Sequence, residues 1–427
     1  MSTIAAIATA PGRAGVAVVR VSGPEALTVA ERLAGPGLGR VSHRRLRAPD
    51  GGATLDDALV LTFRAPHSYT GEDVAEFQCH GGAVTPRRVL SACLAAGARL
   101  ARRGEFTQRA FLNGRLDLDE AEAVLALIDA KTERAADAAL AGLTGADARE
   151  LGELYDLALA ESSVLEHALD VDEAELPDGF FALARERLTA LAARLEAACR
   201  RRREGMILRE GALVVLFGPP NVGKSSLLNA LLGADRAIVS AIPGTTRDTI
   251  EETLDLDGWP VRLVDTAGVR ETADEVEFEG VRRSEQLVRE ADVVLELADG
   301  EFSGPVRPHR LRVRTKADLA APGPRSSGAT WVSVKTGEGL SELRSRLRAE
   351  LEAEAGEFDE APPGASAALA ALIEARRLVG EALRSEDEVV LMANAVRTLA
   401  ERLGRELGAT YSEDLLERVF SRFCVGK

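Results

Sequence analysis

The sequence predicts a three-part chain: an N-terminal α+β domain, a helical bundle, and an α/β domain with a mainly parallel sheet inserted into that bundle. Three observations predict it. Gly218-Pro219-Pro220-Asn221-Val222-Gly223-Lys224-Ser225 stands between an apolar run and a helical pattern, the strand–loop–helix setting of a P-loop. At residue 117, short apolar runs punctuated by Gly and Pro give way to long Ala/Leu/Glu/Arg-rich segments. After Pro362-Pro363-Gly364 that helical pattern returns and continues to residue 423.

Within residues 1–116, the stretches 16–21, 58–63 and 74–79 read as strands, and 84–96 as a helix ended by Gly97. Residues 119–132, 133–143, 147–169 and 180–203 repeat apolar positions at i, i+3 and i+4, and their lengths suit a bundle. The run Arg200-Arg201-Arg202-Arg203 reads as a solvated helix end favoured by the dipole, with RNA contact as the other reading. Residues 209–350 form the inserted domain, 354–366 a linker, and 367–383, 388–407 and 412–423 further helices. Segments 117–208 and 351–427 are therefore expected to make one helical domain, since a strand-first, helix-last insert keeps its ends together.

A length of 427 residues accommodates two or three domains, and 46% hydrophobic with 28% charged residues is a globular, soluble composition. The net charge of −15 provides no global basic field, so any RNA contact has to come from a local patch. Cys79, Cys93, Cys199 and Cys424 lack metal-ligand spacing and read as reduced thiols. The start has no secretory character and no apolar run is long enough to span a bilayer, so a cytoplasmic protein is expected.

The chemistry begins at residue 218. Glycines let successive backbone N–H groups turn toward a phosphate, and the following helix presents its positive end to it. Lys224 is placed to reach the β/γ oxygens and the Ser225 hydroxyl to ligate Mg²⁺. A second strand ends in Asp265-Thr266-Ala267-Gly268, where Asp265 would hold Mg²⁺ through water and the Gly268 N–H would face the γ-phosphate. Between them lies the polar loop Pro243-Gly244-Thr245-Thr246-Arg247-Asp248. Thr315-Lys316-Ala317-Asp318 and Ser333-Val334-Lys335 match guanine-specificity loops, in which an Asp carboxylate accepts from guanine N1–H and the 2-amino group. Adenine has no such donor pair, so Asp318 selects GTP. Thr315 stands where such loops usually have Asn; it keeps a hydroxyl but loses an amide, which predicts weaker loop bracing with guanine preference retained. Ras-like GTPases orient the attacking water with a Gln after D-x-x-G, but here Val269 follows, so another group has to act. The acidic stretch 270–277 reads, from charge alone, as a solvated loop. Asn221 offers a side-chain oxygen for a monovalent cation near the β–γ bridge.

Several stretches carry a family resemblance. They are Ala8-Thr9-Ala10-Pro11-Gly12-Arg13-Ala14-Gly15-Val16, Tyr69-Thr70-Gly71-Glu72-Asp73, His80-Gly81-Gly82, Arg103-Gly104-Glu105-Phe106-Thr107-Gln108-Arg109-Ala110-Phe111, Gly244-Thr245-Thr246-Arg247-Asp248 and the terminal Cys424-Val425-Gly426-Lys427. With the P-loop, they make the chain resemble the bacterial tRNA-modification GTPase family MnmE (TrmE) over essentially its whole length. The resemblance implies an N-terminal folate-binding domain that forms a homodimer, a helical domain, and a GTPase inserted in it. It further implies action with an FAD-dependent flavoprotein, MnmG (GidA). Together they would add an aminomethyl or carboxymethylaminomethyl group to C5 of the wobble uridine (position 34) of certain tRNAs, the one-carbon unit coming from 5-formyltetrahydrofolate or a related tetrahydrofolate.

Carried over residue by residue, the resemblance implies K⁺ ligation by Asn221, Ser240, Ile242 and Thr245, and Mg²⁺ ligation by Ser225 and Thr246. The implied nucleotide site comprises Asn221, Val222, Gly223, Lys224, Ser225, Ser226, then Ser240, Ala241, Ile242, Pro243, Gly244, Thr245, Thr246, then Asp265, Thr266, Ala267, Gly268, and finally Thr315, Lys316, Asp318, Ser333, Val334 and Lys335. Lys224 and Glu277 are the implied catalytic residues; Glu277 would orient the attacking water through a second water, which displaces the solvated-loop reading at that position. Folate contacts fall on Arg20, Glu76, Arg115 and Lys427, with Arg115 replacing a common Lys by a guanidinium of different geometry. Cys424 is the implied candidate for modification chemistry. The competing reading is a regulatory GTPase of the ribosome-assembly type, which shares the Asn-bearing P-loop and the missing Gln but appends a basic RNA-binding domain; the flanks here read as acidic or helical.

Overall fold

Side-chain alternation builds the first of two sheets. The computed structural model describes residues 2–171, 175–234, 252–265, 286–300, 302, 309–320, 328–354, 361, 365–385, 388–408 and 420–426. One unit comprises Met1–Leu125, Leu143–Gly145 and Thr410–Lys427, the other Ala126–Gly142 and Ala146–Ala409. In the first unit β1 (Ile4–Ile7), β2 (Val16–Ser22), β3 (Val41–Arg47), β4 (Thr54–Phe63), β5 (Val74–His80) and β6 (Arg99–Leu100) pair in the order β3-β4-β5-β2-β1-β6. Helices α1 (Ala26–Ala34) and α2 (Thr85–Ala95) cover one face, burying Val19, Val21 and Phe77 among Val29, Leu33 and Val89. Successive side chains point to opposite faces of a strand, so Ile4 and Ala6 pack on the other side with Ala101 and with Phe106 of α3 (Glu105–Leu112). Arg20 is paired with Glu76 in the β2–β5 register and shares that second face.

The expected strands are present within a residue or a few of their predicted bounds; β1, β3, β6, α1 and α3 are additional to them. β1 is only four residues long, and β3 reads V-S-H-R-R-L-R, an edge strand whose charges mask the alternation. The C-terminal residues also depart from expectation. Phe420 and Phe423, assigned to the bundle by periodicity, are buried with Ala121 of α4 (Leu118–Asp129) against Phe111. Val425 bridges to Arg103, and Gly426 has φ 106°. A Cβ on Gly426 would lie 2.2 Å from the Ile7 carbonyl oxygen, so a larger residue could not seat there without moving backbone.

In the second unit, α5 (Glu133–Gly142) precedes the bundle. There α6 (Ala146–Leu169), α7 (Phe180–Glu210) and helices Ala367–Arg384 and Val389–Leu407 enclose a core including Leu154, Leu165, Leu188, Leu195, Leu372 and Val396. Ser366 caps the Ala367–Arg384 helix by accepting the Leu369 N–H at 3.2 Å. The arginine run is not at a helix end and is solvated only in part: Arg200 and Arg201 are exposed, Arg202 is half-buried and Arg203 is buried. α7 continues through Gly205 to Glu210; Arg201 pairs with Glu150, Arg202 donates to the Asp147 carbonyl, and buried Arg203 reaches Asp292 at 3.2 Å. The helix dipole accounts for local charge but not for partners supplied from distant sequence.

Strands β7 (Ala212–Phe217), β8 (Glu252–Leu256), β9 (Trp259–Asp265), β10 (Val293–Ala298), β11 (Arg310–Arg314) and β12 (Ala329–Trp331) form the second sheet, ordered β12-β11-β10-β7-β9-β8. All its pairs are parallel except β8–β9. The chain builds outward from β7 first to one side and then to the other, which makes the carboxyl ends of β7 and β10 a topological switch point. Helix α5 and the end of α7 join this sheet's core through Ala135 and Ile207. Thr132 donates to the Gly258 carbonyl at 2.8 Å and the Arg134 guanidinium lies 4.2 Å over the Trp259 ring.

The polar core of the first unit sets an acid limit. Glu105 is 3% exposed and accepts from Arg99, from the Arg102 N–H at 2.9 Å and from Arg109 at 3.1 Å. Burial alone pushes its carboxyl up, but these donors outweigh burial and hold it at about 2, below its ordinary 4.5. With the folded value depressed, the stabilisation is complete above the unfolded carboxyl's range and is lost as pH falls from about 4.5 toward about 2. Glu105→Gln is expected to destabilise by about 3–5 kcal/mol at neutral pH, because it takes a charge partner from buried guanidinium, and to flatten the acid limb of unfolding. Denaturant melts across that pH range check this; an acid limb as steep as the parent's would contradict it.

Candidate functional site

The switch point places one candidate site. β7 buries Ala212, Val214, Val215 and Leu216, then leaves the sheet at Gly218. A Cβ at Gly218 would stand 2.4 Å from the Leu297 carbonyl oxygen, so the loop can run this close to the end of β10 only with glycine. Asn221 (φ 60°) and Gly223 (φ 101°) adopt left-handed backbone before α8 (Lys224–Ala234) begins. Such alternation of handedness is how successive N–H groups come to face one anion. Lys224 is buried, and its Nζ donates to the carbonyls of Gly218 and Pro219 at 3.0 Å each, closing the loop on itself.

Parallel register then brings the other loops to it. Leu216 pairs with Asp265 across β7–β9, and the Ser225 hydroxyl donates to Asp265 Oδ2 at 2.6 Å. These are two hard oxygen donors side by side, suited to Mg²⁺ when phosphate and water oxygens complete an octahedron. At the end of β11, the buried Thr315 hydroxyl donates to the Val222 carbonyl at 2.7 Å, and its N–H donates to the Ala298 carbonyl at 3.0 Å. Thr315 thus makes from its hydroxyl, within reach of the P-loop backbone, the brace that such loops usually draw from an amide. Asp318 Oδ1 accepts from the buried Ser333 hydroxyl at 2.7 Å, a bond that lowers its carboxyl below the ordinary range and fixes its direction. Lys316, itself left-handed, pairs with Asp299 at 3.0 Å. Val334, Lys335 and Ser226 are exposed around this crevice. Ser240, Ala241, Ile242, Pro243, Gly244, Thr245, Thr246, Thr266, Ala267, Gly268 and Glu277 lie outside the described residues.

A second charged site occupies the first unit. Arg20 Nε donates to Glu76 Oε1 at 2.7 Å, and its guanidinium lies 5.1 Å from the Tyr69 ring and 5.6 Å from that of Phe106. The Tyr69 hydroxyl meets Thr107 at 2.8 Å, and burial raises its pKa. Ala6, cross-strand to Arg20, adjoins Ile7, against which Gly426 is seated. Exposed Cys424 offers its carbonyl to the Gly104 N–H at 3.4 Å. Arg115 is exposed beside Gly71 and Asn113; Lys427 lies outside the described residues. Sequence reasoning missed the buried network behind this site. Glu72 accepts from Arg109 and Ser22, each at 2.8 Å, and Arg109 also donates to the Ser2 carbonyl at 2.7 Å. Its signal is present in the T-G-E-D and G-E-F-T-Q-R stretches, whose opposite charges pair with each other.

Comparison with known proteins covers the whole chain. The family model described as GTP-binding protein TrmE N-terminus matches residues 3–115, and the one described as MnmE helical domain matches residues 118–424. Proteins named tRNA modification GTPase MnmE are 42% identical in Thiobacillus denitrificans (99% of this chain, 98% of the relative) and 44% in Bordetella petrii (99% and 98%). The one in Moorella thermoacetica is 42% identical over 100% of this chain and 99% of its own length. A solved G domain of the T. maritima FeoB iron transporter is 26% identical over 33% of this chain and 98% of its own, with a TM-score of 0.25, too low to bear on the fold. The match of both models and of full-length relatives places the chain in the MnmE (TrmE) family of tRNA modification GTPases.

Proposed function

We propose that this GTPase uses GTP hydrolysis to drive modification of the wobble uridine of tRNA, working as a cytoplasmic homodimer with an FAD-dependent flavoprotein partner. In this reading residues 1–116 bind a tetrahydrofolate, 117–208 and 351–427 form the helical domain, and 209–350 the GTPase. The observation that carries it is the joining of the nucleotide loops by Ser225–Asp265, Thr315–Val222 and Asp318–Ser333, in a chain that matches MnmE relatives end to end. The ribosome-assembly reading loses support because residues 3–115 match the TrmE N-terminal model.

Each side chain has a task in this scheme. The amides of residues 221–225 hold the phosphates, Lys224 balances charge on the β and γ oxygens, and Ser225 with Thr246 and Asp265 holds the metal edge. Asp318, aimed by Ser333, accepts from guanine. Ser225 and Thr246 would hold Mg²⁺, and Asn221, Ser240, Ile242 and Thr245 would hold K⁺; these ions would supply positive charge to offset what develops on the phosphoryl oxygens. Glu277 orients the attacking water where Val269 cannot. In the N-terminal domain Arg20, Arg115 and Lys427 suit the anionic tail of a folate and Glu76 its donor-bearing pterin, with bound folate supplying the one-carbon unit near Cys424.

Two outcomes test this. Mass spectrometry of wobble uridines from cells lacking the protein is expected to show loss of the C5 substituent; an unchanged nucleoside profile would contradict the tRNA reading. Glu277→Ala is expected to keep GTP affinity but lower turnover by roughly 10²-fold or more, the scale of misplacing an attacking group. Parent-like turnover in single-turnover GTPase assays would remove Glu277 from the mechanism.

A further inference from the structure

The arginines of the first unit are neutralised differently from those of the second. Residues 1–116 contain fifteen arginines, no lysine and nine carboxylates, a formal charge of +6 in a chain of −15. The expectation of acidic or helical flanks therefore fails at this end. In the bundle, arginines meet glutamates, as in Arg194–Glu153, Arg376–Glu196 and Arg402–Glu374. Within 1–116, among the described residues, ion pairs with carboxylates are made by Arg20, Arg99, Arg102 and Arg109, and these lie toward the Glu76 and Glu105 side of the domain.

Three of the others converge. Arg32, Arg87 and Arg88 line a cleft of about 900 Å³ between α1, the first turn of α2 and the β3–β4 turn. Arg32 donates to the Ala96 carbonyl at 2.6 Å and Arg88 to the Thr54 carbonyl at 3.4 Å. Carbonyl partners orient a guanidinium without cancelling its charge. Asp50 is the one carboxylate among the lining residues, and its Oδ1 already accepts from the Gly52 N–H at 3.0 Å. Arg87 and Arg88 also sit in the first turn of α2, which has no acidic residue, where the helix dipole repels cations. That placement is unfavourable for folding and becomes favourable once an anion arrives. The floor is apolar, including Leu55, Ala92 and Val84, the last 64% exposed. Helices α1 and α2 cover the sheet face opposite Arg20 and Glu76, so this cleft is separate from that site.

We propose that the cleft is an RNA docking site, with phosphodiester groups on Arg32, Arg87 and Arg88 and an unpaired base over the apolar floor. Clustered guanidinia fit single-stranded or looped RNA, because they neutralise its backbone and its unpaired bases can lie on a guanidinium plane or against apolar surface. The inference rests on the tRNA-modification reading and names where the substrate is gripped.

Fluorescence anisotropy of a labelled tRNA transcript with the full-length protein, between about 50 and 200 mM salt, tests it. The double variant Arg87→Ala/Arg88→Ala is expected to bind roughly tenfold more weakly. The slope of log affinity against log salt should fall by about 0.7–0.9 for each phosphate no longer neutralised. Arg87→Lys/Arg88→Lys should keep most of that slope, basal GTP turnover of both variants should match the parent, and neither variant should melt below it. Parent-like affinity and slope in the alanine variant would overturn the cleft while leaving the modification reading intact; a parent that binds no tRNA would overturn both. Equally tight, variant-sensitive binding of polyglutamate would replace RNA by an acidic protein as the occupant.

Discussion

A loop of backbone amides holds a phosphate only while something outside the loop keeps those amides pointing at one spot. In this protein that restraint is a set of hydrogen bonds at the carboxyl edge of the second sheet. Thr315 reaches from the end of β11 to the Val222 carbonyl, Lys224 ties the Gly218 and Pro219 carbonyls, and Ser225 is joined to Asp265 at the end of β9. The parallel register of β7 with β9 and β10 makes these spans short. Preorganisation of this kind matters because donors already in place need not reorient when charge develops on the phosphoryl group. Asp318, the carboxylate proposed to read guanine, is held in the same way by the Ser333 hydroxyl at 2.7 Å.

Much of this was legible in the sequence because each nucleotide loop is local. Gly218 to Ser225 needs only its own strand and helix to be recognised, and Asp265 and Asp318 each follow an apolar run. What was not legible depends on residues far apart in the chain. The Arg200 to Arg203 run looks solvated in sequence because Glu150 and Asp292, which meet Arg201 and Arg203, are distant along the chain. Phe420 and Phe423 carry a helical period that says nothing about which core they enter. Residue type alone does not name the acceptor of the Thr315 hydroxyl, the Val222 carbonyl at 2.7 Å, which lies 93 residues away in the chain.

The first unit shows how one sheet separates two kinds of charge. On one face Arg20 is joined to Glu76 and lies against the rings of Tyr69 and Phe106; on the other, Arg32 of α1 and Arg88 of α2 donate to main-chain carbonyls. Period-two alternation is what keeps the two apart, because a shift of register by one residue would exchange the faces. The Gly426 seat against Ile7 adds the C-terminal motif beside the first of them.

Nucleotide choice tests the central restraint most directly, because it requires the phosphate cradle and the Asp318 carboxylate to be set together. Turnover of GTP and ATP should be measured side by side at equal concentration with the full-length protein. The braced arrangement predicts that GTP is cleaved and ATP is bound and cleaved at least about a hundredfold less well, as expected when a site built for hydrogen bonding meets a base lacking the donors. Comparable turnover of the two nucleotides would contradict it.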